Sequence, residues 1–422
     1  MRAAALALAL ALALAPALGF VAAPAAADDD APGARNAILF IGDGTGLSQI
    51  ALGRLVKGAP LAVDAFPTTG LALTSSADFA ITDSAAAATA MACGVKGRNN
   101  RIGLDRDGKP VPSIAADLRG AGYAVGLVTT TRVTHATPAC FYAHHPDRER
   151  EDDIAAQLVE SEAVDLVLGG GRRHFPAERL ERLRARGFEV ALDLEALGRA
   201  KGPRLVGLFA GSHLPYEIDR DREREPSLAA LTAAAVALLE AHVDAGRAKG
   251  YFLVVEGGRV DHACHQHDAP TAARDVVAFD RAVGETRARV GARGDTLVVV
   301  TADHATGGLA ISELVDVEGL RAARASVERT LAAQSPGRSP SDLDVARVAH
   351  EAAARLGVHF LPVEAQAKHL STEGHDGTAV PVYAAGPGAE RFGGTFENTE
   401  IPSKIRAALA VPAGAAARGR RF

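Results

Sequence analysis

Six short runs of almost wholly apolar residues recur along the chain, at 37–41, 124–129, 164–168, 252–255, 296–300 and 380–385. None shows the polar–apolar alternation of a strand with one wet face, so each reads as a strand buried on both sides. Between them lie stretches of helical pattern, at 113–119, 152–161, 228–245, 269–289 and 403–409. Apolar strands alternating with helices predict βαβ units, hence an α/β fold: a mostly parallel central sheet with helices on both faces.

The ends of the runs carry the chemistry. The first stops at Gly42-Asp43-Gly44, the second runs through threonines to His135 and Thr137, another stops at Glu256-Gly257-Gly258, and another at Thr301-Ala302-Asp303-His304. In an open α/β sheet ligands bind beyond the carboxyl ends of the strands. Four endings thus bring acids, hydroxyls and imidazoles to one edge.

A different stretch supplies a hydroxyl. Residues 81–97 read ITDSAAAATAMACGVKG. Alanine favours helix, Thr82 or Asp83 can cap its start, and Gly94 and Gly97 close it or the loop after it. Ser84 then lies in the first turn, where free N–H groups favour an anion. On this pattern alone Ser84 also reads as an incidental serine in a capped helix.

The metal-ligand pattern is more pointed. Asp261 and His265 are four residues apart, on one face if helical, and carboxylate with imidazole suits zinc. Asp303 and His304 supply another such pair, and His375 in a GHDG loop a further imidazole, though a lone histidine there also fits polar surface. Asp43, Thr137 and Glu256 offer only oxygen, the preference of a harder ion such as magnesium. His262 and His267 sit beside the zinc candidates but point elsewhere, around the cluster or on the surface. Two zinc ions roughly 3.5–4 Å apart would clamp the attacking and leaving oxygens of a phosphoryl displacement. Ser84 fits the nucleophile and Arg148 a bidentate phosphate clamp, although Arg148 lies in a charge run at 147–153 that also fits a solvated face.

The rest of the chain sets limits. Residues 1–27 have Arg2, a long Ala/Leu run and an A-x-A site at Ala25 and Ala27, which predicts a signal peptide cleaved after Ala27 and an exported protein, periplasmic or secreted. No other stretch is apolar enough to span a bilayer, and the ARGRRF ending carries no lipidation signal, so no membrane anchor is expected after cleavage. A net charge of −5 with mixed signs and few aromatics argues against nucleic acid as a partner. Cys93, Cys140 and Cys264 form no C-x-x-C pair; small buried thiols are expected, with one disulfide as the rival. At 313–370 the chain turns Arg/Ala-rich, with a break at 335–340 and a helix at 342–356 that Ser341 and Asp344 start as a capping box, and it reads as a helical insertion.

Taken together these residues resemble the alkaline phosphatase family. The resemblance rests on ILFIGDGTG at 38–46, TDSAAAATAMACGVKG at 82–97, TTTRVTHATP at 129–138, FLVVEGGRVDHACH at 252–265, TADH at 301–304 and GHDG at 374–377, in the family's order, with GGGRRHF at 169–175 of similar look. It implies one catalytic domain over 28–422 and a ping-pong hydrolysis of phosphate monoesters at alkaline pH through phosphoserine on Ser84. It implies Asp261, His265 and His375 for one zinc, Asp43, Asp303 and His304 for the second, and Asp43, Thr137 and Glu256 for magnesium. It further implies Arg148 on substrate phosphate with Asp83 orienting it, and a homodimer. His135 and His262, outside the ligand sets, replace the aspartate and lysine of some bacterial members, an animal-type feature that leaves zinc or cobalt open at the third site. Ala210 stands where the animal-type calcium site has a carboxylate. The rivals are a related phosphodiesterase or sulfatase and a non-catalytic exported metal- or phosphate-binding protein. Ser84 is followed by Ala85-Ala86 rather than the C/S-x-P-x-R of a sulfatase, diesterases of this kind present threonine, and a binder needs neither Ser84 nor Arg148.

Overall fold

The computed structural model describes residues 33–202, 204–334, 340–362 and 374–412; the expected signal peptide at 1–27 lies outside them. The strands, in chain order, are β1 (Asn36–Gly42), β2 (Thr68–Leu73), β3 (Ala124–Arg132), β4 (Leu166–Gly170), β5 (Glu189–Ala191), β6 (Leu205–Leu208) and β7 (Tyr251–Gly257). After them come β8 (Thr296–Ala302), β9 (Ala305–Thr306), β10 (Ala310–Ile311), β11 (Val358–His359), β12 (His375–Asp376), β13 (Val380–Ala385) and β14 (Gly394–Glu397). Ten of them form one sheet in the order β14-β2-β13-β8-β1-β7-β3-β4-β6-β5. Its pairings are parallel except those of β13, which runs antiparallel to β8 and β2.

All six apolar runs are strands of this sheet, and β1, β7 and β8 are buried along their whole length. The additional strands β2, β5, β6 and β14 had weak signals for physical reasons. β5, β6 and β14 are three or four residues long, too short for a pattern. β2 buries Gly70 and Ala72 but exposes Leu71 and Leu73, the reverse of an amphipathic signal.

Successive side chains of β1 enter opposite layers. Leu39 and Ile41 pack with Ala85, Ala88 and Met91, whereas Ile38 and Phe40 pack with Leu231, Val236 and Phe279. The helices that matter for the site are α1 (Ser84–Cys93), α2 (Leu228–Asp244), α3 (Arg259–His265), α4 (Ala269–Gly291), α5 (Val327–Gln334) and α6 (Asp342–Arg355). In the region 313–370, α6 opens on the Ser341–Asp344 capping box, and Ala353 joins Val358 and Phe360 in a cluster with Leu52, Val260 and Val276. Residues 335–339 and 363–370 of that region lie outside the described set. Among the described residues no helix is long and apolar enough to cross a membrane, and all three cysteines are unpaired thiols.

Asp83, not Thr82, caps α1: its Oδ1 accepts from the backbone N–H of Ala86 at 2.8 Å. Gly94 ends the helix in the left-handed conformation, φ 74°. Every residue from Ser84 to Ala92 is buried, so the alanine run lets the helix press against the sheet with no room for larger side chains. Ala88→Leu is therefore expected to cost about 1–3 kcal/mol of stability by overpacking. Urea unfolding measures it; a variant as stable as the parent would show that α1 is not tightly seated.

Candidate active site

β8, β1, β7 and β3 are adjacent in the sheet, so their carboxyl ends deliver Asp303, Asp43, Glu256 and the 129–137 segment side by side. α3 begins directly after β7 and adds Asp261 and His265; β12, paired with β9, adds His375. Gly44 holds the first ending in place. Its φ is +69°, and a Cβ there would come within 2.7 Å of the Asp261 Cα.

Three overlapping groups of potential ligand atoms result, each within 4.8 Å of one another: Asp261, His265 and His375; Asp43, Asp261 and His304; and Asp43, His135 and Glu256. In the first, Asp261 Oδ1 lies 3.3 Å from His265 Nε2 and 3.5 Å from His375 Nε2. The two Nε2 atoms are 3.0 Å apart. His375 Nδ1 meets the Thr82 carbonyl at 3.0 Å, and since a carbonyl only accepts, Nδ1 donates there, which turns Nε2 toward Asp261 and His265. In the second, His304 Nε2 is 3.6 Å from Asp43 Oδ1; Asp303, expected with them, is outside this group, in which Asp261 stands instead, but its Oδ2 lies 3.2 Å from the same Nε2. Asp303 Oδ1 is engaged elsewhere, accepting from the N–H groups of Gly44 and His304 at 3.0 and 2.9 Å.

Six unmatched polar atoms converge on the same place. Both carboxylate oxygens of Asp43, Asp303 Oδ2, Glu256 Oε1, Thr137 Oγ1 and His135 Nδ1 are buried without a hydrogen-bond partner. Buried polar atoms are ordinarily satisfied, and leaving carboxylates unpaired is costly. A donor set of this chemistry fits metal ions, nitrogen-rich on the His375 side and oxygen-rich on the Glu256 side.

The electrostatics agree. Burial, with Asp303, Asp261 and Glu256 close by, pushes the Asp43 carboxyl well above the usual range. Burial also raises Glu256 to about 7, against the hydroxyls of Thr129 and Thr131 that hold it. Asp303 is raised to about 6 by burial and by Asp261. For Asp261 burial pulls upward, but His265 and His375 outweigh it and hold the group well below the usual range. Burial and His375 keep His304 neutral far below its ordinary value.

Ser84 stands at the first position of α1, with its Oγ 3.3 Å from His304 Nε2. Arg148 is not on a solvated face. Its side chain is 16% exposed and donates from Nη1 to Asp83 Oδ2 at 3.2 Å, while Nη2 lies 3.1 Å from His135 Nε2. Ser84, Asp83, Arg148, His135, Asp261 and His265 line one cleft of about 1140 Å³.

Some placements differ from the sequence reading. His135, expected outside the ligand sets, belongs to the third group with Asp43 and Glu256. His262 lines the same cleft, its Nδ1 2.7 Å from Arg259 Nη1 and its ring 5.5 Å from that of His135. His267 is fully buried rather than superficial, stacked on Phe360 with its Nδ1 3.0 Å from His350 Nδ1. His213, which no pattern singled out, meets the rings of His262 and His135 at 4.4 and 5.5 Å. Thr129 and Thr131, which hold Glu256, were legible only as the TTTR run that ends β3.

Asp303→Asn separates charge from shape, because the amide oxygen still accepts from Gly44 and His304. In chelator the variant is expected to melt above the parent, and with metal ions restored, below it. Asp303 sits at about 6 in the fold, above its value in the unfolded chain, so the fold keeps a proton that the unfolded chain has released. The stability from that proton is complete below the ordinary carboxylate range and lost as pH rises through about 6. The variant's advantage in chelator therefore grows from about pH 4 to about pH 7. Thermal melts with and without chelator check this; identical melting in chelator would show that the cluster carries no charge strain.

Comparison with known proteins agrees with this geometry. The family model for alkaline phosphatase matches residues 34–411. Alkaline phosphatase 4 of Bacillus subtilis (strain 168) is 33% identical over 407 residues, covering 87% of each chain. The solved alkaline phosphatase of the Antarctic bacterium TAB5 is 31% identical with a TM-score of 0.73, covering 90% of this chain and all of that one. A histidine variant of that enzyme, with magnesium bound in its M3 site, has a TM-score of 0.72 at 31% identity over 90% of this chain and 99% of its own. Fold, sequence and the site's metal-binding chemistry coincide, and the chain belongs to the alkaline phosphatase family.

Proposed function

We propose that this alkaline phosphatase hydrolyses phosphate monoesters at alkaline pH through a phosphoserine on Ser84, with two zinc ions and one magnesium ion. The observation that carries the reading is the position of Ser84. Its Oγ lies 3.3 Å from His304 Nε2, in the same cleft as Arg148 and beside the converging unmatched carboxylates.

Asp261, His265 and His375 would hold one zinc, and Asp43, Asp303 and His304 the other. Asp43, Thr137 and Glu256, joined by His135, would hold the third ion, with zinc or cobalt as the alternative to magnesium. The magnesium assignment draws on the oxygen-rich donors Asp43, Thr137 and Glu256. Bound ions supply Lewis-acid charge that favours a serine alkoxide and stabilises a leaving oxygen.

The chain's own groups do the rest. The N-terminal end of α1 and the Arg148 guanidinium oppose phosphate charge from two sides, and the guanidinium fork matches two phosphate oxygens. Asp83 anchors Arg148, so the fork is oriented before substrate arrives. Thr129 and Thr131 fix one oxygen of Glu256 and leave the other free for an ion. The leaving group faces the open cleft. Export rests on the signal pattern at 1–27, and a homodimer on the family resemblance.

Ser84→Ala is expected to lower turnover of p-nitrophenyl phosphate on the order of a thousandfold or more. Chelation should abolish wild-type activity, and zinc with magnesium should restore it. The assay runs beside a bis-ester: wild-type activity confined to the bis-ester would replace this reading with a phosphodiesterase. Undiminished monoester turnover by the variant would remove Ser84 as the nucleophile.

A further inference from the structure

The loop after α1 holds a turn at 99–100 that none of the assigned roles uses, and both of its asparagines line the cleft with Ser84 and Arg148. Asn99 works through its side chain. Its Oδ1 accepts from the backbone N–H of Asp83 at 3.1 Å, and its Nδ2 donates to the Ile81 carbonyl at 3.1 Å. One amide thus stitches down the segment that leads into the nucleophile helix. Asn100 works mainly through its backbone, its Nδ2 making one long, exposed bond to Asp147 Oδ1 at 3.4 Å. Its N–H donates to Asp83 Oδ2 at 2.9 Å, and its carbonyl accepts from the backbone N–H of Arg148 at 3.0 Å.

These bonds close a circuit. Asp83 Oδ1 is committed to the cap of α1, and Oδ2 receives both Asn100 N–H and Arg148 Nη1. The base of Arg148 and the carboxylate that holds its tip are therefore fixed by the same residue, through the two peptide groups that flank its Cα. Asn100 reaches this arrangement only in the left-handed region, φ 68°, one of three such residues other than glycine among the described residues. Asparagine tolerates that conformation better than most residues, and a β-branched side chain hardly at all.

We propose that Asn99 and Asn100 are positioning residues for the phosphate clamp: they lock the Asp83–Arg148 pair in register with Ser84, so that an otherwise flexible arginine meets phosphate already ordered. The inference rests on the reading of Arg148 as the clamp. Ordering the side chain in advance lowers the cost of binding phosphate. Loss of the lock should therefore weaken phosphate more than it slows the chemical step.

Asn99→Ala removes the side-chain stitch, and Asn100→Val opposes the left-handed turn, while Asn100→Gly keeps it. The first two are expected to raise both the KM for p-nitrophenyl phosphate and the inhibition constant of inorganic phosphate roughly tenfold, with a smaller change in kcat. Asn100→Gly should stay within about twofold of the parent. Zinc content and thermal midpoint, measured alongside, separate this from unfolding, and Asn99→Ala tests the idea even if Asn100→Val does not fold. In an Arg148→Ala background the added effect of either asparagine variant should vanish, since it acts through Arg148. Unchanged phosphate inhibition in both variants, an Asn100→Gly enzyme as impaired as Asn100→Val, or an equal loss without Arg148 would overturn the inference. If Arg148→Ala itself leaves phosphate inhibition intact, the clamp reading falls and the inference with it. If Arg148→Ala weakens phosphate and the asparagine variants do not, only the inference falls.

Discussion

The structure turns on a crowd of buried carboxylates that share one sheet edge without enough positive charge to pair them. Asp43, Glu256, Asp261 and Asp303 are each 4% exposed or less, and burial holds the His304 imidazole among them neutral. Like charges buried together raise one another's proton affinity, as Asp43 and Asp303 illustrate. A fold that keeps such groups deprotonated and packed needs cations at that edge. Metal binding is then coupled to the stability of the domain as well as to its chemistry.

The rest of the site is arranged to tolerate that crowding. β1, β7 and β8 are rigid because both faces are covered, so Asp43, Glu256 and Asp303 have little freedom to move apart. α1 brings Ser84 to the same edge because its alanines occupy so little space against Leu39 and Ile41. On the proposed reading phosphate, itself an anion, would be met by the open end of α1 and by Arg148 rather than by the carboxylates. The Asp83 carboxylate serves both devices, one oxygen on the helix and the other on the arginine.

Much of this was legible from residue order, and the parts that were not have identifiable causes. The six strands that carry or flank the site were readable because full burial leaves an unbroken apolar run. β5, β6 and β14 were not, since three or four residues hold no period. Asp261 and His265 could be paired because helical spacing is local. His135 could not be separated in advance from a residue outside the ligand sets, because its distance to Glu256 depends on how β3 lies against β7. The same holds for His213, a single histidine in a loop whose ring neighbours come from two other segments. Arg148 resembled a surface charge because its partner Asp83 lies 65 residues away.

By itself, then, the sequence determined which chemistry was available: acids, hydroxyls and imidazoles at strand ends, a serine opening a capped alanine helix, and enough ordered blocks to indicate the family. Those features are local, set by backbone periodicity, capping and side-chain type. Only the tertiary structure decided who faces whom. Ser84 and His304 meet across 220 residues, and the side-by-side order β8-β1-β7-β3 brings Asp303, Asp43 and Glu256 together. That order follows from parallel crossovers and from packing on both faces of the sheet, interactions that no window along the chain contains.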